Sequence, residues 1–222
     1  MRCIICQLPL RLSWGICSQC YHYLPKLISV CHRCGLPLFP VTKPCHHCDK
    51  LKPNWDNLIA VADFVPPFTK LIYRFKLNDH PELAYPLARM MMLAWLAARN
   101  ETGIRKPDII TCIPLHQRRY WSRGYNQSEL LAKIISHWLN KHFQPYLIKR
   151  QKQTYDQKTL SKQQRKDNIV NVFSCQTSLQ GKSIAIIDDI VTTGHTIRAA
   201  CKVLRQQGVQ HIQIICLCRT SL

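Results

Sequence analysis

IAIIDDIVTTGHT, residues 184–196, decides the fold class. Ile184, Ala185, Ile186 and Ile187 form a run of four apolar residues, the mark of a short strand buried on both faces. Two adjacent carboxylates, Asp188 and Asp189, stand at its C-terminal end, and a Thr-Thr-Gly-His-Thr turn leads into a helix starting near Thr196. At the carboxyl edge of a parallel sheet, such a turn presents hydroxyls and free backbone N–H groups to a phosphate. The carboxylates repel that phosphate but accept hydrogen bonds from sugar hydroxyls. An acid pair beside an anion loop therefore suits a ribose 5-phosphate. The competing reading is the carboxylate-ended strand of a P-loop nucleotide site, which needs a partner G-x-x-x-x-G-K-[ST] loop after a strand. The one Gly-Lys-Ser, at 181–183, has Gln176 where the first glycine belongs, and it precedes a strand.

Taken together, these positions resemble the phosphoribosyl diphosphate (PRPP) signature of the type I phosphoribosyltransferases. The resemblance implies that Asp188 and Asp189 bind the ribose 2- and 3-hydroxyls. It implies that Thr192, Thr193, Gly194 and Thr196 wrap the 5-phosphate, with His195 and Val191 contributing backbone. His195 departs from the pattern, where Ala or Ser is more usual, and its larger side chain bears on how the loop closes.

Thirteen cysteines in 222 residues are too many for an ordinary enzyme core, and eight of them lie before residue 49. They form four C-x-x-C pairs: Cys3/Cys6, Cys17/Cys20, Cys31/Cys34 and Cys45/Cys48. Ten residues separate the first two pairs and again the last two, an internal repeat of 28 residues. Cysteines at i and i+3 on a tight knuckle direct both thiolates at one metal, and two knuckles complete a tetrahedron. Gly35, directly after Cys34, suits the positive φ such a turn needs. Two structural Zn²⁺ sites of four thiolates each are expected. Disulfides are disfavoured without a secretory signal, and the spacing matches an iron–sulfur centre poorly. Sequential pairing (3/6 with 17/20, 31/34 with 45/48) follows the repeat most simply; an interleaved cross-brace is the alternative. His22, His32, His46 and His47 are spare ligands beside eight thiolates. Cys112, Cys175, Cys201, Cys216 and Cys218 lack metal spacing and read as small buried hydrophobes.

The formal charge is +19, from 31 Lys and Arg against 12 Asp and Glu. Two zinc–tetrathiolate centres would lower it to about +15. That excess points to polyanionic partners: nucleic acid, nucleotides or pyrophosphate. Tyr120, Trp121 and Tyr125 among Arg118, Arg119 and Arg123 favour single strands, although such neighbours also occur in ordinary cores. Met1-Arg2 leads straight into the first knuckle, so no signal peptide is expected. The most apolar stretch, residues 90–98, is too short to cross a bilayer. A cytoplasmic protein without membrane insertion is the expectation.

Residues 1–52 read as finger, with Lys52-Pro53-Asn54 as the joint to a second domain over 53–222. Strands are expected at 57–64, 108–113, 146–149, 183–187 and 211–217, and helices at 67–77, 81–100, 127–140 and 196–208. Their alternation argues an α/β fold with a mostly parallel sheet. After the strand at 108–113, a Pro turn brings Arg118, Arg119 and Arg123 near the sheet's carboxyl edge. Lys149-Arg150 opens into a polar run over 151–168, read either as a mobile loop closing on substrate or as a plain surface loop.

The resemblance then extends over almost the whole chain. A double zinc ribbon, PLHQRRYWSRGYNQ (114–127), RQKQTYDQKTLSKQQRKDNIVNVF (150–173) and IAIIDDIVTTGHT are together similar to the ComF/GntX (YhgH-like) family. The strings R-G-Y-N-Q (Arg123 to Gln127) and T-x-x-Q-x-x-L-S (Thr154 to Ser161), with Arg165 and Asn168, carry it. It implies a type I phosphoribosyltransferase fold behind a double zinc ribbon, PRPP with Mg²⁺ as ligand, and Arg123 and Arg150 near pyrophosphate. A glycosyltransferase reaction on PRPP would use Asp188, Asp189 and Arg150. Asn126 and Gln127 read equally as pyrophosphate-loop residues and as a helix cap. The family's link to natural competence implies a role in DNA uptake beside uptake proteins and incoming single-stranded DNA; its GntX branch implies a role in gluconate use. Rival readings are a PRPP sensor without turnover and a zinc-ribbon adaptor.

Overall fold

The strand carrying the acid pair lies at the centre of a five-stranded, wholly parallel sheet. The computed structural model describes residues 2–10, 15–25, 27, 29–38, 45–77, 80–116, 120–121, 123–151 and 172–220. In chain order the strands are β1 (Asn57–Asp63), β2 (Ile109–Cys112), β3 (His142–Phe143), β4 (Lys149–Arg150), β5 (Phe173–Ser174), β6 (Ser183–Val191) and β7 (His211–Arg219). The helices are α1 (Ser18–His22), α2 (His46–Leu51), α3 (Phe68–Leu77), α4 (Ala84–Thr102), α5 (Gln127–Leu139) and α6 (His195–Gln206). The sheet order is β1-β7-β6-β2-β3, and β4 pairs antiparallel with β5 in a separate ribbon.

Alternation along β6 divides the core into two layers. Ala185 and Ile187 face a cluster built with α3, α4 and α5, including Ile72, Leu87, Trp95 and Leu131. Ile184 and Ile186 face the other side, where Ile197, Ala200 and Leu204 of α6 pack with Trp55, Ile148 and Phe173. Burial on both faces explains the unbroken apolar run. No helix among the described residues is long and apolar enough to cross a membrane.

Several elements depart from the sequence expectation. β6 continues four residues past Ile187, because β7 pairs beside it as far as Val191 opposite Arg219. The acid pair thus sits within the strand rather than after it, and β7 likewise runs on to Arg219. The segment expected as a strand over 146–149 is not one: Leu147 and Ile148 are buried core, and only Lys149–Arg150 pairs, outside the main sheet. β3 was invisible in the sequence, being two residues with no apolar period. A 3-10 turn at Pro81–Leu83 precedes α4.

The 28-residue repeat is a repeat of structure. Arg2 bridges Pro9 as Val30 bridges Pro37. Gln7 N donates to Cys3 O (3.0 Å) as Gly35 N donates to Cys31 O (2.7 Å). Gln7 and Gly35 share a left-handed φ, at 62° and 71°. Glycine is needed at 35 for a second reason: a Cβ there would stand 2.5 Å from Leu58 Cδ2.

Candidate functional site

Two groups of sulfurs form as the repeat implied, and the grouping is sequential. Cys3, Cys6, Cys17 and Cys20 gather at one point, and Cys31, Cys34, Cys45 and Cys48 at another, each set within 4.8 Å. Cys6 and Cys17 Sγ are 3.9 Å apart, Cys31 and Cys48 3.6 Å, and Cys34 and Cys45 3.8 Å. A tetrahedral zinc with bonds of about 2.3 Å has sulfur–sulfur edges of about 3.8 Å, so both donor sets fit that ion. Burial opposes ionisation of Cys3, but N–H groups of Cys6, Cys17 and Ile5 outweigh it and draw its thiol down to about 6. Cys20 and Cys34, desolvated and crowded by neighbouring sulfurs, are held up at about 12. A dication relieves that mutual repulsion and allows all four thiolates to form.

At the carboxyl edge of the sheet a cavity of about 430 Å³ opens over β6. Asp188, Asp189, Thr192, Thr196, Arg123 and Arg150 all line it, so six of the residues singled out from the sequence meet in one place. Between the two lining threonines, Thr193 and His195 are exposed and hydrogen-bond through Oγ1 and Nδ1 at 2.7 Å. The histidine side chain is therefore part of the loop's own bonding. Gly194 adopts φ 78° and precedes the first turn of α6, and Arg198 N donates to its carbonyl at 2.8 Å. Val191 is buried, and its carbonyl accepts from Arg219 Nη1 at 3.1 Å. Arg118, Arg119 and residues 152–171, with the strings expected there, lie outside the described residues.

Three cavity residues escaped the sequence reading or were left ambiguous by it. Lys76 of α3 reaches the cavity and pairs with Asp189, Nζ to Oδ2 at 2.8 Å. Its position on an amphipathic helix carried no sign of this. Ser128 Oγ donates to Asp188 Oδ1 at 3.0 Å, and Asp189 N donates to the same oxygen at 3.0 Å. Burial, then the neighbouring Asp189 charge, push the Asp188 carboxyl up to about 7, against the opposing pull of Ser128, the Asp189 N–H and Lys76. Asn126 is the cap of α5: its side chain accepts from Ser128 N at 3.2 Å and donates to Ile113 O at 3.1 Å. Gln127 lines the cavity instead. It is 1% exposed, its Oε1 accepts from Arg123 at 3.4 Å, and its buried Nε2 has no partner among the described residues. An orphaned buried donor costs about 1–3 kcal/mol, which a ligand acceptor in the cavity would recover.

Residues 125–221 match the phosphoribosyl transferase domain family. Over nearly the full chain, DNA utilization protein YhgH of Salmonella typhimurium is 40% identical across 219 residues, 98% of this chain and 96% of its own. Competence protein F of Haemophilus influenzae is 35% identical, again over 98% and 96%. Competence protein ComFC of Bacillus subtilis is 24% identical over 87% of this chain and 79% of its own. The chain therefore belongs to the family of DNA utilization protein YhgH and competence protein F, with a phosphoribosyl transferase domain and two four-cysteine clusters of zinc-ribbon type.

Proposed function

We propose that the cavity binds PRPP with Mg²⁺, in a cytoplasmic protein that serves DNA uptake. The observation that carries this reading is the meeting of an acid pair, the Thr192–Thr196 loop and two arginines around one cavity. The carboxylates accept the ribose hydroxyls. The loop, closed by Gly194 and backed by the twelve-residue helix α6, donates to the 5-phosphate. Arg123, Arg150 and the Gln127 Nε2, which line the same cavity, would hold the pyrophosphate. Asp189 already accepts from Ile190 N (2.6 Å) and Lys76, and Asp188 from Ser128, so the pair is poorly placed to be a metal cage. Mg²⁺ fits better on the ligand's own oxygens and water. When bound it would neutralise charge on the leaving pyrophosphate. The eight knuckle cysteines hold two structural Zn²⁺ in this reading, and the finger ends near residue 52.

The acceptor itself would form the new bond to ribose C1 as the bond to pyrophosphate breaks, so no protein nucleophile is needed and transfer of phosphoribose would rest on orientation and charge neutralisation. Single-stranded DNA is the proposed macromolecular partner, supported by the +19 charge and by Trp121 and Tyr120, 82% and 47% exposed. Titration calorimetry with PRPP and Mg²⁺ tests the site. No saturable heat would overturn it; binding with pyrophosphate release on adding bases or oligonucleotides identifies an enzyme. Binding without release favours a sensor.

A further inference from the structure

The Cys31–Cys34 knuckle is built into the support of the threonine loop. Arg33, inside the knuckle, accepts at its carbonyl from Trp55 Nε1 at 2.6 Å. Its guanidinium donates back to the carbonyls of Pro53 at 3.0 Å and Trp55 at 3.4 Å. The indole is 1% exposed, and its Cη2 would lie 3.3 Å from a Cβ placed on Gly194. On the very next residue, Cys34 accepts at its carbonyl from Arg219 Nε at 3.1 Å, and Arg219 Nη1 donates to Val191 O at 3.1 Å. Two separate chains of contact thus run from one knuckle to two points of the loop, where β6 ends and where the left-handed glycine turns.

Arg219 adds an electrostatic argument. It is 1% exposed, and among the described residues its Nη2 has no partner and no carboxylate lies within ion-pair distance. A buried guanidinium bonded only to carbonyls is poorly compensated. Four thiolates around Zn²⁺ carry two net negative charges, and one of them belongs to the residue whose carbonyl Arg219 holds. The first cluster is attached elsewhere: Gly15 packs against Pro86, and Arg74 Nη1 donates to Ile4 O at 3.5 Å.

We infer that Trp55 and Arg219 are positioning residues that tie the second four-cysteine centre to the anion loop, so that metal held by Cys31, Cys34, Cys45 and Cys48 sets the loop's order. The coupling itself is independent of the ligand; only its effect on affinity rests on the PRPP reading.

Hydrogen exchange of the full chain, read over residues 190–198 alongside bound zinc, tests it without ligand. Cys45→Ser/Cys48→Ser, with one zinc remaining, is expected to speed exchange in that segment about tenfold or more, and Cys17→Ser/Cys20→Ser to leave it near wild type. Arg219→Ala and Trp55→Ala, with both zincs retained, are expected to reproduce the effect, and Arg219→Lys and Trp55→Phe to restore part of it. These four carry the test if the cysteine variants do not fold. Unchanged exchange over 190–198 in Arg219→Ala and Trp55→Ala overturns the coupling, as does an equal response to loss of either centre. Calorimetry then compares PRPP affinity, expected to fall about tenfold in Arg219→Ala. Wild type that binds no PRPP would overturn the PRPP reading, while the exchange result still decides the coupling.

Discussion

Lys76 closes on Asp189 from α3, an ion pair of 2.8 Å in which the two side chains are only 19% and 13% exposed. It brings a cation from the N-terminal half of the chain onto the acid pair of β6. Its charge also restrains the proton on Asp188, since Lys76 is among the groups that lower that carboxyl. Lys76→Met removes this restraint, so the Asp188 titration is expected to move upward. Carbon-detected NMR of the aspartate carboxyls reads that shift; a midpoint that stays put or falls refutes it.

Asp188→Asn is expected to weaken PRPP binding by about tenfold or more, since hydrogen bonds to a charged group are worth about 1.5–3 kcal/mol. Calorimetry at pH 8 measures it, with Asp189→Asn expected to behave alike.

The same substitution is expected to stabilise the fold. Burial raises the Asp188 carboxyl from its ordinary 3.8 to about 7, so the folded state holds that proton more tightly than the unfolded chain. The wild type therefore loses stability as pH rises through that window, and the loss is complete above it. The Tm gain of Asp188→Asn should be near zero at pH 4, grow towards pH 7 and then level off. Thermal melts across that range check the sign; a gain that shrinks with rising pH contradicts it.

Gly194→Ala places a side chain at φ 78° with its Cβ 3.3 Å from the Trp55 ring. The left-handed conformation alone costs about 1–2 kcal/mol, or a few degrees of Tm at this chain length. PRPP affinity should fall with it, because the glycine shapes the turn; an alanine variant as stable and as tight as wild type would be inconsistent with this account.

Trp121→Ala is expected to weaken single-stranded DNA binding by about tenfold, in line with about 1–3 kcal/mol per stacked base. Binding should also fall steeply with salt. Fluorescence anisotropy with a labelled oligonucleotide measures both, and a salt-insensitive affinity would rule out phosphate-led contact.

The local signals in the sequence were strong where chemistry depends on neighbours in the chain. The i, i+3 cysteines make knuckles because two thiolates on one turn converge, and the Ile184–Ile187 run makes a buried strand because parallel sheets are covered on both faces. Gly35 at positive φ was legible for the same reason, whereas Asn126 read equally as a cap and as a pyrophosphate-loop residue until the fold showed it capping α5. Strand length was not: β6 and β7 extend each other through residues whose side chains show no apolar period.

What the sequence by itself determined is the parallel α/β class, the acid pair beside a threonine turn, and the repeated thiolate pairs, since each is written in adjacent residues. Which pairs share a centre was decided by the tertiary structure, as was the arrival of Lys76, Ser128 and Gln127 at the cavity and the attachment of the second knuckle to the loop through Trp55 and Arg219. The physical reason is that parallel strands must be joined by long crossovers. Residues far apart in the chain therefore meet at one sheet edge, where exclusion of water sets the charge state of Asp188.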